Sequence, residues 1–339
     1  VFLITQFLAC AAIILYSGKK VARYGDVISE KTGLSGLWIG VVLLAVATSL
    51  PELFTGVGSI LVIGAPDLTF GNLFGANMYN LFNIAMLDLM YRKEPLLSSV
   101  SQGQLLTAVM SLMPLSIAAA GILLGGHAIS FQWAGVSYFS MLIFLSYVLS
   151  ARQIFVYEAS HRSIMRELKS EEDVVFKYND VTLRKAVISY GIFAAVIAGA
   201  GIWLAWIGDA IAAFTGIGKS FVGSQLLGLA TTLPEITVSI AALRLGAKEM
   251  AVANMLGSNL FNIAIIAVND VMYRKNSIYC DVSKNHICTA LFVILMTAVA
   301  AAAMIVKPKK KTKLGMSGYA ILIVVLFIAG GYINFLINR

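Results

Sequence analysis

Gly40, Thr48, Pro51 and Glu52 recur 183 positions later as Gly223, Thr231, Pro234 and Glu235. The stretch Ala47-Thr48-Ser49-Leu50-Pro51-Glu52 is thereby nearly copied in Ala230-Thr231-Thr232-Leu233-Pro234-Glu235, each inside a long apolar run. A second motif pair follows. Gly71-Asn72-Leu73-Phe74-Gly75-Ala76-Asn77-Met78-Tyr79-Asn80 answers Ala253-Asn254-Met255-Leu256-Gly257-Ser258-Asn259-Leu260-Phe261-Asn262 at a spacing of 182. The first copy therefore carries one extra residue, expected in the loop around Ala65-Pro66. The likeness continues through Asp88-Leu89-Met90-Tyr91-Arg92 and Asp270-Val271-Met272-Tyr273-Arg274. Such a chain folds as two copies of one unit.

The unit belongs in a membrane. The chain is 59% hydrophobic and 12% charged, about half the charge of a soluble domain, where about 25% of residues are charged. Ten apolar segments fall near 1–18, 34–63, 68–91, 103–125, 131–151, 184–207, 216–243, 247–273, 286–306 and 314–336, each close to the ~20 residues that cross a bilayer. The fold class expected is an all-α polytopic membrane protein with ten transmembrane helices in two five-helix repeats. The first repeat spans 1–151 and the second 184–339, joined by a polar, partly helical linker at 152–183.

Twenty of the 25 Lys and Arg residues fall in the connections after the odd-numbered segments. Basic residues stay cytoplasmic, so both termini are expected outside, with the linker and the run Lys307-Pro308-Lys309-Lys310-Lys311-Thr312-Lys313 inside. This topology accounts for the net charge of +8 without nucleic acid, and nothing in the chain requires a protein partner. Membrane lipid is the expected surrounding, and the basic run also suits attraction to anionic lipid. The plasma membrane of a prokaryote is the expected location. Cys10, Cys280 and Cys288 lack a metal-binding spacing and read as packing residues. His127, His161 and His286 fall in or beside loops and do not cluster.

Five segments per repeat is an odd number, so the second repeat enters the membrane in the opposite direction. Inverted-topology repeats are the plan of secondary transporters, with the binding site at the midplane where the repeats meet. A charge at the centre of a membrane helix costs about 2.5–3.5 kcal/mol on insertion scales, which makes intramembrane carboxylates functional candidates. Glu52 and Glu235 are such carboxylates. The prolines beside them remove a helix hydrogen bond and leave backbone oxygens facing a cavity. The two motifs therefore read as broken helices that hold a cation between two glutamates.

At roughly 100° per residue, Asn72 and Asn80 fall within about 80° of each other, while Asn77 lies about 140° from Asn72. Asn80 and its counterpart Asn262 are expected at the site. Asn72, Asn77, Asn254 and Asn259 suit either the site or interhelical hydrogen bonding. Asp88 and Asp270 stand four residues before Arg92 and Arg274, and an i,i+4 ion pair at the membrane boundary is the expected arrangement.

The two Thr-[Ser/Thr]-Leu-Pro-Glu motifs, each followed by Gly-[Ala/Ser]-Asn-x-x-Asn, resemble the alpha repeats of the sodium/calcium exchanger family, within the calcium/cation antiporter superfamily. The resemblance implies a ten-helix fold in which segments 2, 3, 7 and 8 surround the ions. It implies Glu52 and Glu235 as calcium carboxylates, with Thr48 and Thr231 adding oxygens. Ser49, Thr232, Ser258, Asn80 and Asn262 would line neighbouring ion sites, Asn77 and Asn259 are further candidates, and the carbonyls of Ala47 and Ala230 contribute. Calcium takes six to eight oxygen ligands in flexible geometry, which such a set provides.

Two positions depart from many sodium-coupled relatives: Ala76 stands where they have Ser, and Asn262 where several have Asp. Two glutamates are neutralised equally by one Ca²⁺ or two H⁺, and burial favours protonation of a carboxylate. The expected function is a secondary active antiporter that moves Ca²⁺ in exchange for H⁺ by alternating access. A Na⁺/Ca²⁺ exchanger with several Na⁺ sites is the alternative, and a cation channel is the rival from another class. No enzyme activity and no cofactor are expected, the transported ions being cargo.

Overall fold

The computed structural model describes residues 2–31, 46–125, 132–133, 135–167, 181–275 and 277–339. Gly40, His127, the first part of segment 2 and the linker core at 168–180 lie outside the described residues. Segment 1 is helix α1, Phe2–Lys31, which runs beyond the apolar stretch because Lys19, Lys20 and Arg23 are good helix formers that carry it on into solvent. Segment 2 is helical at 46–48, breaks at Ser49, and resumes as α2, Leu50–Ile63. Next come α3, Pro66–Met90, and α4, Gln102–Leu124. A two-residue antiparallel pairing, with Gln132 opposite Ser137, precedes α5, Tyr138–Glu167. Helix α5 thus continues past residue 151, well beyond the apolar run.

The second repeat starts with α6, Leu183–Thr215. Segment 7 is a bent pair, α7 (Lys219–Thr231) and α8 (Leu233–Arg244), inclined by 42°. Then follow α9, Lys248–Met272, α10, Asn285–Val306, and α11, Gly318–Ile337. Among the described residues, seven helices are long and apolar enough to cross a membrane, and the bent pair makes an eighth span. With α3 and segment 2 these are the ten segments of two inverted repeats.

Helix packing follows the internal symmetry. Helices α1 and α6 pair with each other; α2 packs on α6 as α8 packs on α1. In the centre α3 and α9 cross, each also flanked by helices of both repeats. The most apolar 18-residue window of α9 is 83% buried, against 28% in α1 and 22% in α6, so α9 is a central helix and the α1–α6 pair faces lipid.

Lipid is as apolar as leucine, so close backbone packing rather than hydrophobic transfer holds such helices together. Here α3 lies directly on the first half of segment 7. A Cβ placed on Gly71 would come within 2.7 Å of Ser220 O, and one on Gly228 within 2.9 Å of Ala76 N.

The extra residue of the first repeat is not in the loop around Ala65-Pro66. Gly64 (φ 67°) and Gly246 (φ 81°) close the corresponding helices in the left-handed conformation and are already 182 positions apart. The insertion therefore lies upstream, where the last five residues of α2, Ser59–Ile63, form a π-helical turn. Such a turn absorbs one additional residue without ending the helix.

Candidate ion-binding site

The broken helices are built alike. Pro51 and Pro234 occupy the first turn of α2 and α8, where the missing N–H is tolerated. The residues preceding those helices, Ser49 (φ −89°, ψ 9°) and Thr232 (φ −81°, ψ 0°), sit near the sparsely populated bridge region. Each proline denies a donor to the carbonyl four residues back, Ala47 or Ala230, both of which are buried. Glu52 and Glu235 follow in the first turn and are completely buried. Ser49, three residues before Glu52, donates to Glu235, so both carboxylates lie at the same part of the repeat interface.

The threonines of the motifs link the repeats. Thr231 Oγ1 donates to Asn72 Oδ1 at 3.0 Å, and Thr48 Oγ1 to Asn254 Oδ1 at 3.4 Å. Thr48 also lies 3.5 Å from Ser258 Oγ. Asn72 and Asn254, two of the four asparagines left open between site and packing, thus act here as cross-repeat anchors for the threonines. Asn254 Nδ2 further donates to Glu235 O at 3.3 Å and to Ser239 Oγ at 3.1 Å. Ser239 was not singled out from the sequence, although its position one turn after Glu235 puts it on the same helix face.

Four asparagines tie α3 to α9. Asn77 Nδ2 donates to Asn259 O at 3.1 Å, and Asn259 Nδ2 returns to Asn77 O at 3.3 Å. Asn80 Nδ2 reaches Asn259 Oδ1, and Asn262 Nδ2 reaches Asn77 Oδ1, both at 3.0 Å. Asn77 therefore reaches the second repeat as Asn72 and Asn80 do. The helical wheel placed it off their face, but α3 is enclosed on nearly every side, so a residue off one face meets another helix rather than lipid.

The two glutamates are not equivalent. Glu235 Oε1 receives Ser49 Oγ at 3.1 Å and Ser258 Oγ at 3.4 Å. Neither oxygen of Glu52 has a hydrogen-bond partner. Ala76, the counterpart of Ser258, has no hydroxyl to offer, and Thr232, the counterpart of Ser49, donates to Gly228 O at 2.8 Å in its own helix. Thr231 stands beside Glu52, but its one hydroxyl hydrogen is committed to Asn72.

Among the candidate site residues, five buried oxygens lack a donor: Glu52 Oε1 and Oε2, Glu235 Oε2, Asn80 Oδ1 and Asn262 Oδ1. An unpaired buried acceptor is costly, and a set of them suits a hard cation. Asn262 follows Ser258 by one turn on the same face of α9. Among the described residues there is no cluster of three or more His, Cys, Asp or Glu able to hold a metal.

The sequence model of the family described as sodium/calcium exchanger protein matches residues 2–163 and 185–337. The chain belongs to the sodium/calcium exchanger family. It is accordingly a multi-pass membrane antiporter of the calcium/cation exchanger type. Among curated relatives, inner membrane protein YrbG of Escherichia coli is 25% identical over 254 residues, covering 75% of this chain and 74% of that one. The crystal structure of the H⁺/Ca²⁺ exchanger CAX superposes with a TM-score of 0.70 at 13% identity, over 99% of this chain and 86% of that one. The sodium-calcium exchanger NCX_Mj gives 0.59 at 18% identity, with 97% of each chain covered. The fold of this family member is thus shared with both.

Asp88 and Asp270 do not form the expected pairs with Arg92 and Arg274. Asp88 accepts from Leu96 N at 2.6 Å and Ser317 N at 2.7 Å; Asp270 accepts from Ile278 N at 3.1 Å and Ser137 N at 2.8 Å. Each carboxylate binds the backbone eight residues ahead and the start of the last helix of the opposite repeat. Backbone donors fixed in place outcompete a flexible, solvated Arg. Among the described residues, Asp88 alone of the two has a cation beside it, Lys311 at 3.5 Å. His286, expected in or beside a loop, stands beside one: it is buried in the first turn of α10 and lies 3.0 Å from Asp67 Oδ1.

Proposed function

We propose that this antiporter binds Ca²⁺ between Glu52 and Glu235 and exchanges it for protons. The observation that carries the reading is the set of unpartnered buried oxygens on Glu52, Glu235, Asn80 and Asn262. Thr48, Thr231, Asn80 and Asn262 complete the cation site. Ser49, Thr232, Ser258, Asn77 and Asn259 shape it, and the carbonyls of Ala47 and Ala230 face it. One Ca²⁺ balances both carboxylates. Two protons balance them equally, one on each carboxylate.

Exchange follows from competition, because cation and protons neutralise the same pair. With neither bound, two bare carboxylates disfavour a switch between open states. The α1–α6 pair, packed on α2 and α8, is the mobile part of an alternating-access cycle. Two relatives in fold support this assignment of ions, one being named an H⁺/Ca²⁺ exchanger and the other a sodium-calcium exchanger. The hydroxyls of Ser49, Ser258 and Thr48 around Glu235 favour sodium as the second reading.

The test is radiolabelled calcium uptake into proteoliposomes, driven separately by an inside-acid pH gradient and by an outward sodium gradient. Uptake with the pH gradient alone is expected. Uptake with sodium alone would assign the second reading, and uptake with neither would overturn both.

A further inference from the structure

The internal symmetry generates two equivalent cavities at opposite ends of the molecule, and their chemistry differs. One, of about 500 Å³, lies between the end of α9 and the start of α5 and is lined by Val136, Phe144, Val271 and Met272. The other, of about 830 Å³, lies between the end of α3 and the chain leading into α11. Its apolar wall contains Leu89 and Met90, the counterparts of Val271 and Met272, together with Leu314, which is 72% exposed. Its other wall is formed by Arg92, Lys311 and Lys313. The first cavity has no charged lining residue.

Lys311 is held in place by Asp88 and by the carbonyls of Asp88 and Tyr91 at the end of α3. It fixes the basic loop against the helix end. Arg92 and Lys313 are exposed and make no ion pair among the described residues. The nearest acidic side chain in sequence, Glu94, is engaged by Lys248 at 3.4 Å. Positive charge therefore borders apolar surface at the membrane boundary, on the side where basic residues accumulate.

We propose that this cavity binds the phosphate headgroup of an anionic phospholipid from the cytoplasmic leaflet. Arg92 and Lys313 contact the phosphate, Lys311 adds to the field, and Leu89, Met90 and Leu314 lie along the acyl chains. An anionic headgroup joined to apolar chains matches both walls, whereas a soluble anion leaves the apolar wall unused. The same place in the other repeat faces the opposite leaflet; Arg274 is the counterpart of Arg92, but the chain leading into α5 has no Lys or Arg to match Lys311 and Lys313, so the full cationic set occurs in one leaflet only.

The test uses the full chain purified in neutral detergent, with phosphatidylglycerol, phosphatidylcholine or glycerol 3-phosphate added and retained lipid counted by native mass spectrometry. The wild type should retain phosphatidylglycerol in preference to phosphatidylcholine, and glycerol 3-phosphate should not displace it. Removing two basic residues should weaken retention about thirty-fold, at about 1 kcal/mol for each, in the double variant Arg92→Gln/Lys313→Gln. Lys284→Gln, on the opposite side, should retain lipid as the wild type does. Equal retention by the double variant, no preference for the anionic lipid, or displacement by glycerol 3-phosphate would each overturn the proposal. None of these outcomes depends on which ion drives transport.

Discussion

Ser49 donates its hydroxyl to Glu235 Oε1 across the repeat interface at 3.1 Å, whereas its counterpart Thr232 turns back onto Gly228 O. The two halves of the site therefore share an ancestry of sequence but not a hydrogen-bonding role. A bond to a charged acceptor is worth about 1.5–3 kcal/mol, against roughly 1 for a neutral one. Ser49→Ala should raise the calcium dissociation constant about tenfold by calorimetric titration, and Thr232→Ala should leave it within about threefold.

Ala76 and Asn262 are where the site has fewer polar groups than its internal copy or its sodium-coupled relatives would suggest. Ala76→Ser restores the hydroxyl that Ser258 provides in the other repeat, and Asn262→Asp adds a third carboxylate. The double variant should bind sodium more tightly. The sodium concentration that halves calcium binding should fall about tenfold, the equivalent of one additional charged contact. An unchanged value would separate these positions from ion choice.

Helix α3 owes its position to missing side chains. A methyl group on Gly75 would collide with the Ser224 backbone, while one on Gly191 in α6 meets nothing within 4 Å. Gly75→Ala should lower the thermal midpoint in detergent, since backbone displacement in a packed interface costs about 1–3 kcal/mol. Gly191→Ala should raise it slightly, by up to about 1 kcal/mol of helix propensity.

Much of this arrangement was legible in the sequence. The recurring Thr, Pro and Glu residues marked the broken helices, and an odd number of segments per copy implied inversion. What could not be read was whatever depended on a partner distant in the chain. Asp88 offered a nearby Arg92, yet its ligands are the amides of Leu96 and Ser317, and no periodicity announces a backbone amide 229 residues away. The hydroxyls of Ser49 and Thr232 look alike in sequence and differ only in which acceptor the fold presents. The π-helical turn at Ser59–Ile63 was hidden because a one-residue insertion looks the same in a loop or in a helix.

The aspartates give a prediction that distinguishes scaffold from site. Asp88→Asn and Asp270→Asn each leave one backbone N–H without its acceptor, at about 1–3 kcal/mol. Both variants should unfold at lower temperature while binding calcium with wild-type affinity. A weaker calcium affinity at unchanged thermal stability would instead place these carboxylates among the ion ligands.

The most direct test of the glutamate-centred site is calcium–calcium counterflow in proteoliposomes, because it requires no assumption about the counter-ion. Vesicles loaded with unlabelled calcium should accumulate radiolabelled calcium saturably when they contain the wild type. Accumulation should fall to the protein-free background with either Glu52→Gln or Glu235→Gln. Wild-type counterflow by either variant would contradict calcium binding between Glu52 and Glu235.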